Sequence, residues 1–121
     1  MSCNNKIDLS PVKQDVDIWK DDTWAMVLKV TTNTVPVSFL GATIVIQIRK
    51  TIESAAIEMT LTTAENTITI SGAGNNIITL NKKITLDAGS YVYDMNVTFP
   101  NTQSKTYIYG KLNVEQNITR L

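Results

Sequence analysis

The sequence predicts an all-β domain, a sandwich or barrel of antiparallel strands, on three observations. About a third of the 121 residues are Ile, Val or Thr, whose branched side chains suit a pleated, half-buried surface better than a helix. Apolar residues recur at every second position in one run after another. Clusters of Gly, Pro, Asn and Ser separate these runs at intervals of about ten residues. The length fits one domain, and 43% hydrophobic residues suffice for one core.

The elements follow in order. Residues 1–13 are mostly polar and contain Ser10-Pro11, so they read as an extended arm or edge strand, since Pro is confined to strand edges and starts. Residues 14–121 form the sandwich. Val16 and Ile18 share one face of its first strand, and Asp15 and Asp17 share the other. Trp24, Met26, Leu28 and Val30 point inward, opposite Ala25, Val27 and Lys29. Asn33-Thr34 and Pro36 mark the next gap.

Ile44, Ile46 and Ile48 then alternate with Val45, Gln47 and Arg49, and Ile57, Met59 and Leu61 with Glu58, Thr60 and Thr62. Ile68 and Ile70 precede Ser71-Gly72-Ala73-Gly74-Asn75-Asn76, which reads as a hairpin loop. The best candidate for a helical turn is Lys82–Leu86. Tyr91, Tyr93, Met95 and Val97 form the inward face of a long strand. After the turn at Phe99–Ser104, Ile108, Gly110, Leu112 and Val114 face inward, and Tyr107, Tyr109, Lys111 and Asn113 face outward. No linker or internal repeat divides the chain.

Composition narrows the function. The chain has no His, and so lacks the commonest general base and metal ligand. Its one cysteine, Cys3, can form neither an intramolecular disulfide nor a Cys-rich zinc site, and no imidazole exists to activate it. Eleven Lys and Arg balance eleven Asp and Glu, which removes the electrostatic footprint of a nucleic-acid binder. No apolar run approaches the ~18 residues that span a bilayer. The first residues lack the apolar stretch of a secretion signal, so production in a reducing cytoplasm is expected and the sequons at Asn96 and Asn117 are chance matches. These features point to a non-enzymatic module with no cofactor, metal, nucleic acid or membrane. Near-zero net charge lowers self-repulsion and suits a homo-oligomer or a component of an assembly.

Three candidate sites have plainer explanations. Asp15, Asp17, Asp21 and Asp22 could offer oxygens to Ca²⁺ but lack the glycine turn and the closing glutamate of a calcium loop, so a solvated strand and turn are expected. Gly72-Ala73-Gly74 is flanked by strands and lacks the helix a phosphate loop requires. Tyr107 and Tyr109 share an outward face, where plain exposure or cross-strand packing is expected; the functional reading they suit best is a protein contact, because Tyr supplies large amphipathic area at low entropic cost.

Leu86-Asp87-Ala88-Gly89-Ser90-Tyr91-Val92-Tyr93 resembles the tyrosine corner of immunoglobulin-like sandwiches, with Tyr91 in the place of the corner tyrosine. Tyr93 then stands where antibody domains carry their second disulfide cysteine, so packing must hold the sheets together. The resemblance implies a single immunoglobulin-like sandwich of about seven to nine strands.

A longer pattern runs from Val16-Asp17-Ile18-Trp19-Lys20-Asp21-Asp22-Thr23-Trp24 through Pro36–Thr43, Ile46–Lys50, Leu61–Thr63, Ile68–Ile70 and Leu86–Asp94 to Gly110–Val114 and Ile118–Arg120. It is similar to the small β-sandwich modules of tailed-bacteriophage virions, in baseplate and receptor-binding assemblies and in head-attached proteins. Asp21-Asp22-Thr23 departs from the Gly-Asp-Thr usual there.

That resemblance implies a virion structural protein, assembled in the host cytoplasm, whose partners are capsid, fibre or tail subunits. It implies a head-attached decoration or fibre-anchoring subunit first, and a tail, baseplate or fibre-adaptor subunit second. Docking is expected through the arm, with Ile7, Leu9, Pro11 and Val12, and through Tyr107 and Tyr109. The competing class is a carbohydrate- or host-surface-binding module with Trp19, Trp24, Tyr107 and Tyr109 as candidates, of which Trp24 is expected in the core by its alternation with Met26 and Leu28.

Overall fold

A computed structural model describes residues 11–32, 35–116 and 118. Among these, every regular element is a strand, and nine of the strands form two facing sheets. One sheet runs β1 (Val12–Lys13), β11 (Ser104–Glu115), β10 (Gly89–Thr98), β6 (Thr43–Arg49) and β7 (Met59–Thr62), with β2 (Val16–Trp19) also on β11. The other runs β3 (Thr23–Lys29), β9 (Ile77–Lys83) and β8 (Ile68–Ser71). β4 (Thr31–Thr32) and β5 (Val35–Pro36) make a small separate pair. The strands exceed the expected number because β1, β4 and β5 are two-residue pieces. The chain is an immunoglobulin-like β-sandwich.

Alternation produces this arrangement. Ile44, Ile46 and Ile48 of β6 are fully buried, as are Met95 and Val97 of β10 and Leu112 of β11. From the second sheet they meet Trp24, Ile68, Ile78 and Leu80. Each large aliphatic side chain so buried contributes about 1.5–3 kcal/mol before the entropy of ordering it.

No helical turn occurs at Lys82–Leu86. β9 extends through Lys83, and Ile84 is fully buried beyond it. The inward series there is Ile78, Leu80, Lys82 and Ile84, with Lys82 half-buried opposite Trp24. A lysine in an inward register masks the period of two, and its aliphatic stem lets it occupy that place. Ile57 is a second correction: it precedes β7 and is exposed, so the inward face begins at Met59.

Two contacts replace a disulfide. The Tyr91 hydroxyl donates to the Asp87 carbonyl at 2.7 Å, closing the tyrosine corner. Trp24 of β3 and Tyr93 of β10 meet edge to face across the two sheets, with centroids 5.0 Å apart and planes at 84°. Such a pair contributes about 0.5–1.5 kcal/mol beyond its buried area. The Trp24 indole N–H has no hydrogen-bond partner among the described residues, so packing alone holds the ring.

The N-terminal strands are tied to β11. Val12 and Lys13, grouped with the arm by sequence, pair in parallel with Ile108 and Tyr109. Val16–Trp19 continue along the same edge, opposite Leu112–Glu115. Between them the chain crosses Gly110 so closely that a Cβ there would overlap the Gln14 carbonyl. That carbonyl accepts a hydrogen bond from the Tyr93 hydroxyl, and the Gln14 N–H donates to the Tyr109 carbonyl at 2.8 Å. Burial and the nearby Asp15 carboxylate push the Tyr93 hydroxyl up to about 12, so it remains a donor throughout the neutral range.

Candidate interaction surface

The outer face of the larger sheet carries the candidate site. Strand register places Lys13, Tyr109, Asp94 and Gln47 in one lateral row across β1, β11, β10 and β6. Lys111, Val92 and Arg49 form the next. Alternation turns these side chains away from the core, because their strand neighbours Ile48, Tyr93 and Ile108 are buried. The rows line a shallow depression of about 620 Å³, bordered by Ile52.

Arg49 shapes its rim. Its guanidinium donates to the carbonyls of Ser54 and Ala55, both at 2.8 Å, and to the Gln47 side chain at 2.9 Å. These bonds fold residues 50–55 back toward the strand, while Ile52 stays 83% exposed beside the depression. Three cations, Lys13, Arg49 and Lys111, and one carboxylate, Asp94, thus surround the apolar Ile52, Val92 and Tyr109. A chain with no net charge presents a locally cationic, partly apolar surface here. It is suited to a protein partner carrying carboxylates around an apolar anchor.

The residues singled out by sequence divide. Ile7 and Leu9 lie outside the described residues. Pro11 borders a second depression with Phe99 and Gln103–Thr106, at the end of the sandwich where β10 turns into β11. Val12 is exposed on the sheet edge, and Tyr109 is exposed in the main depression.

Tyr107 does not share that face. The register slips between Met95 and Asn96, so Ile108 pairs with Met95 and Thr106 with Asn96, leaving Tyr107 as the extra residue of a bulge. Its ring turns toward Phe39 (centroids 5.4 Å) and Phe99 (6.5 Å), and Lys105 Nζ lies 5.1 Å from its centroid. Burial raises the Tyr107 hydroxyl above its ordinary value.

The bulge and the core together dismantle the aromatic platform proposed for sugars. Trp24 is buried and Tyr107 half-buried. Of the four, Trp19 and Tyr109 remain exposed, but Trp19 pairs with Glu115 near the far end of β11 from Tyr109.

Two of the acidic residues serve the fold. Asp15 accepts from the Lys111 N–H at 2.9 Å, and Asp17 accepts from the Asn113 side chain at 2.9 Å, both holding the N-terminal strands to β11. Asp21 has a φ of 70° in the turn between β2 and β3. Among the described residues no group of three or more Cys, Asp or Glu could hold a metal ion. The Ser71–Asn76 loop joins β8 and β9, whose pairing begins at Ser71 opposite Ile77.

Sequence reasoning missed Lys13 and Ile52 as members of the site. The legible signal for Ile52 was a large apolar residue between Thr51 and Glu53, outside any strand period.

No protein-family model and no curated protein sequence matches the chain. Among solved structures, it is similar to CopC from Methylosinus trichosporium OB3b, at 14% identity over 64% of this chain and 67% of that one, with a TM-score of 0.41. It is also similar to the ZIG-8–RIG-5 IG1–IG1 heterodimer, at 16% identity over 87% of this chain and 82% of that one, with a TM-score of 0.39. The ZIG-8 IG1 homodimer matches at 16% identity over 88% and 83%, again with a TM-score of 0.39.

Proposed function

We propose that this chain is a non-enzymatic structural subunit of a tailed-phage particle, a head-attached decoration or fibre-anchoring protein that acts by docking on other virion proteins. The phage assignment rests on the pattern from Val16 to Arg120 described above. The docking role rests on one structural observation: Ile52, Val92 and Tyr109 lie among Lys13, Arg49 and Lys111 on an open sheet face. A surface that mixes an aromatic, aliphatic groups and arginine is the usual anatomy of a protein contact. The arm, with Ile7, Leu9, Pro11 and Val12, supplies a second contact to the same kind of partner. The same surface serves equally in a tail, baseplate or fibre-adaptor position, so the proposal fixes the mode of action before the place.

The docking face is tested by Tyr109→Glu combined with Ile52→Glu. Both side chains are exposed, so stability is expected to stay within about 0.5–1 kcal/mol of wild type. Incorporation of the chain into particles is expected to fall about tenfold or more. Wild-type incorporation of this folded variant overturns the face as the docking site.

A further inference from the structure

The smaller sheet, β3-β9-β8, ends at β3, and among the described residues nothing pairs with the outer edge of that strand. The direction of its backbone groups follows from its neighbours. Asn81 donates to the Thr67 carbonyl, on the β8 side of β9, whereas Ile84 donates to the Asp22 carbonyl, on the β3 side. Residues of one parity on a strand point their N–H and C=O the same way. Ile78, Leu80 and Lys82 therefore bond β3, and their partners there are Leu28, Met26 and Trp24. The N–H and C=O groups of Thr23, Ala25, Val27 and Lys29 point to the open edge. All four of these residues are exposed.

We propose that this edge is a homodimerisation site, in which β3 pairs antiparallel with β3 of a second copy about a two-fold axis through Met26. In that register Ala25 faces the partner copy's Val27, and Thr23 faces its Lys29. These are the residues whose backbone groups are free, so the pairing closes about eight hydrogen bonds between chains. The charges also fit. Lys29 meets no lysine across the axis: it faces Thr23 of the other copy, and the turn that carries Asp21 and Asp22 directly precedes that Thr23, so carboxylates lie near a lysine at both ends of the ribbon.

β3 is only lightly protected as an edge: it has no proline and no inward charge, its one charge, Lys29, sits at its end, and Val27 is exposed at its middle. Met26 and Leu28 are only partly buried, as are Val16 and Ile18 of β2. β2 leads into β3 through the short turn at Lys20–Asp22, so both strand edges border one side of the sandwich. A second copy paired to β3 would cover the partly open Met26 and Leu28 further. The proposal is independent of the phage assignment, and absence of the chain from particles would leave it standing.

The test is sedimentation of the full chain from low micromolar to near-millimolar concentration, beside two variants. Val27→Pro removes an N–H that faces the open edge and leaves the bonds to β9 intact, the one setting in which a strand accepts proline. Wild type is expected to dimerise reversibly, and Val27→Pro to dimerise about tenfold more weakly or not at all. Val27→Lys places two lysines diagonally across the axis and is expected to weaken the dimer likewise. Adding Ala25→Glu sets a glutamate directly opposite each lysine and is expected to restore it.

A wild type that stays monomeric throughout overturns the proposal, as does a dimer unaffected by Val27→Pro and Val27→Lys. Slow amide exchange at Ala25 and Val27 in the dilute monomer also overturns it, because the chain's own N-terminal segment would then occupy the edge.

Discussion

Ile46→Asp is expected to abolish folding. Ile46 is fully buried in the middle of β6, opposite Met95 on one side and Leu61 on the other. The substitution removes a side chain whose truncation alone costs about 2–5 kcal/mol. It also places a carboxylate where the opposed core residues are apolar, adding several kcal/mol or forcing the group to stay protonated. The sum approaches the whole stability of a domain, about 5–15 kcal/mol. The variant should lack a cooperative thermal transition by circular dichroism. Gln47→Asp, one residue along on the outer face, should keep it. A soluble Ile46→Asp protein that melts cooperatively would contradict the assignment of the core.

Gly110→Ala is expected to be the most damaging single-methyl change on the N-terminal side. The new Cβ would overlap the Gln14 carbonyl and lie 2.7 Å from the Gln14 carbonyl carbon and 2.9 Å from an Asp15 carboxylate oxygen. β11 is held on its other side by the long pairing with β10, so the Gln14–Asp15 crossing must move instead. Moving it breaks the Gln14 bond to Tyr109, the Asp15 bond to Lys111 and the Tyr93 hydroxyl bond. Two or three lost hydrogen bonds, one of which strands a buried hydroxyl, cost about 3–5 kcal/mol. Denaturant unfolding should show a loss of that size, with the amides of Val16–Trp19 exchanging faster. A loss under about 1 kcal/mol would mean that the crossing does not depend on glycine.

The sequence made the strand faces legible wherever a strict period of two was present. Ile44, Ile46 and Ile48, and Tyr91, Tyr93, Met95 and Val97, are buried as their alternation requires. The tyrosine corner was legible because its hydrogen bond is local, from Tyr91 to Asp87. Lys82 hid the last part of β9 because polarity, on which alternation depends, ignores a lysine's apolar stem.

Tyr107 was misplaced for a different reason. A bulge adds one residue to one strand only, and nothing in the composition of β11 announces it. The interaction surface was half legible. Alternation turned Gln47, Arg49, Val92, Asp94 and Tyr109 outward, but their convergence depends on the lateral order of β1, β11, β10 and β6. That order arises from pairings far apart in the chain. The meeting of Trp24 and Tyr93 across the sheets is of the same kind: each was read on its own strand, and only the stacking of the two sheets joins them.

The proposed role makes the chain a bound subunit of a phage particle. Quantitative mass spectrometry of phage particles, purified through a density gradient and washed at high salt, tests it most directly. The chain is expected in the particle fraction at a fixed copy number relative to the other structural proteins. A chain found only in the soluble fraction, with none in the washed particles, would contradict it.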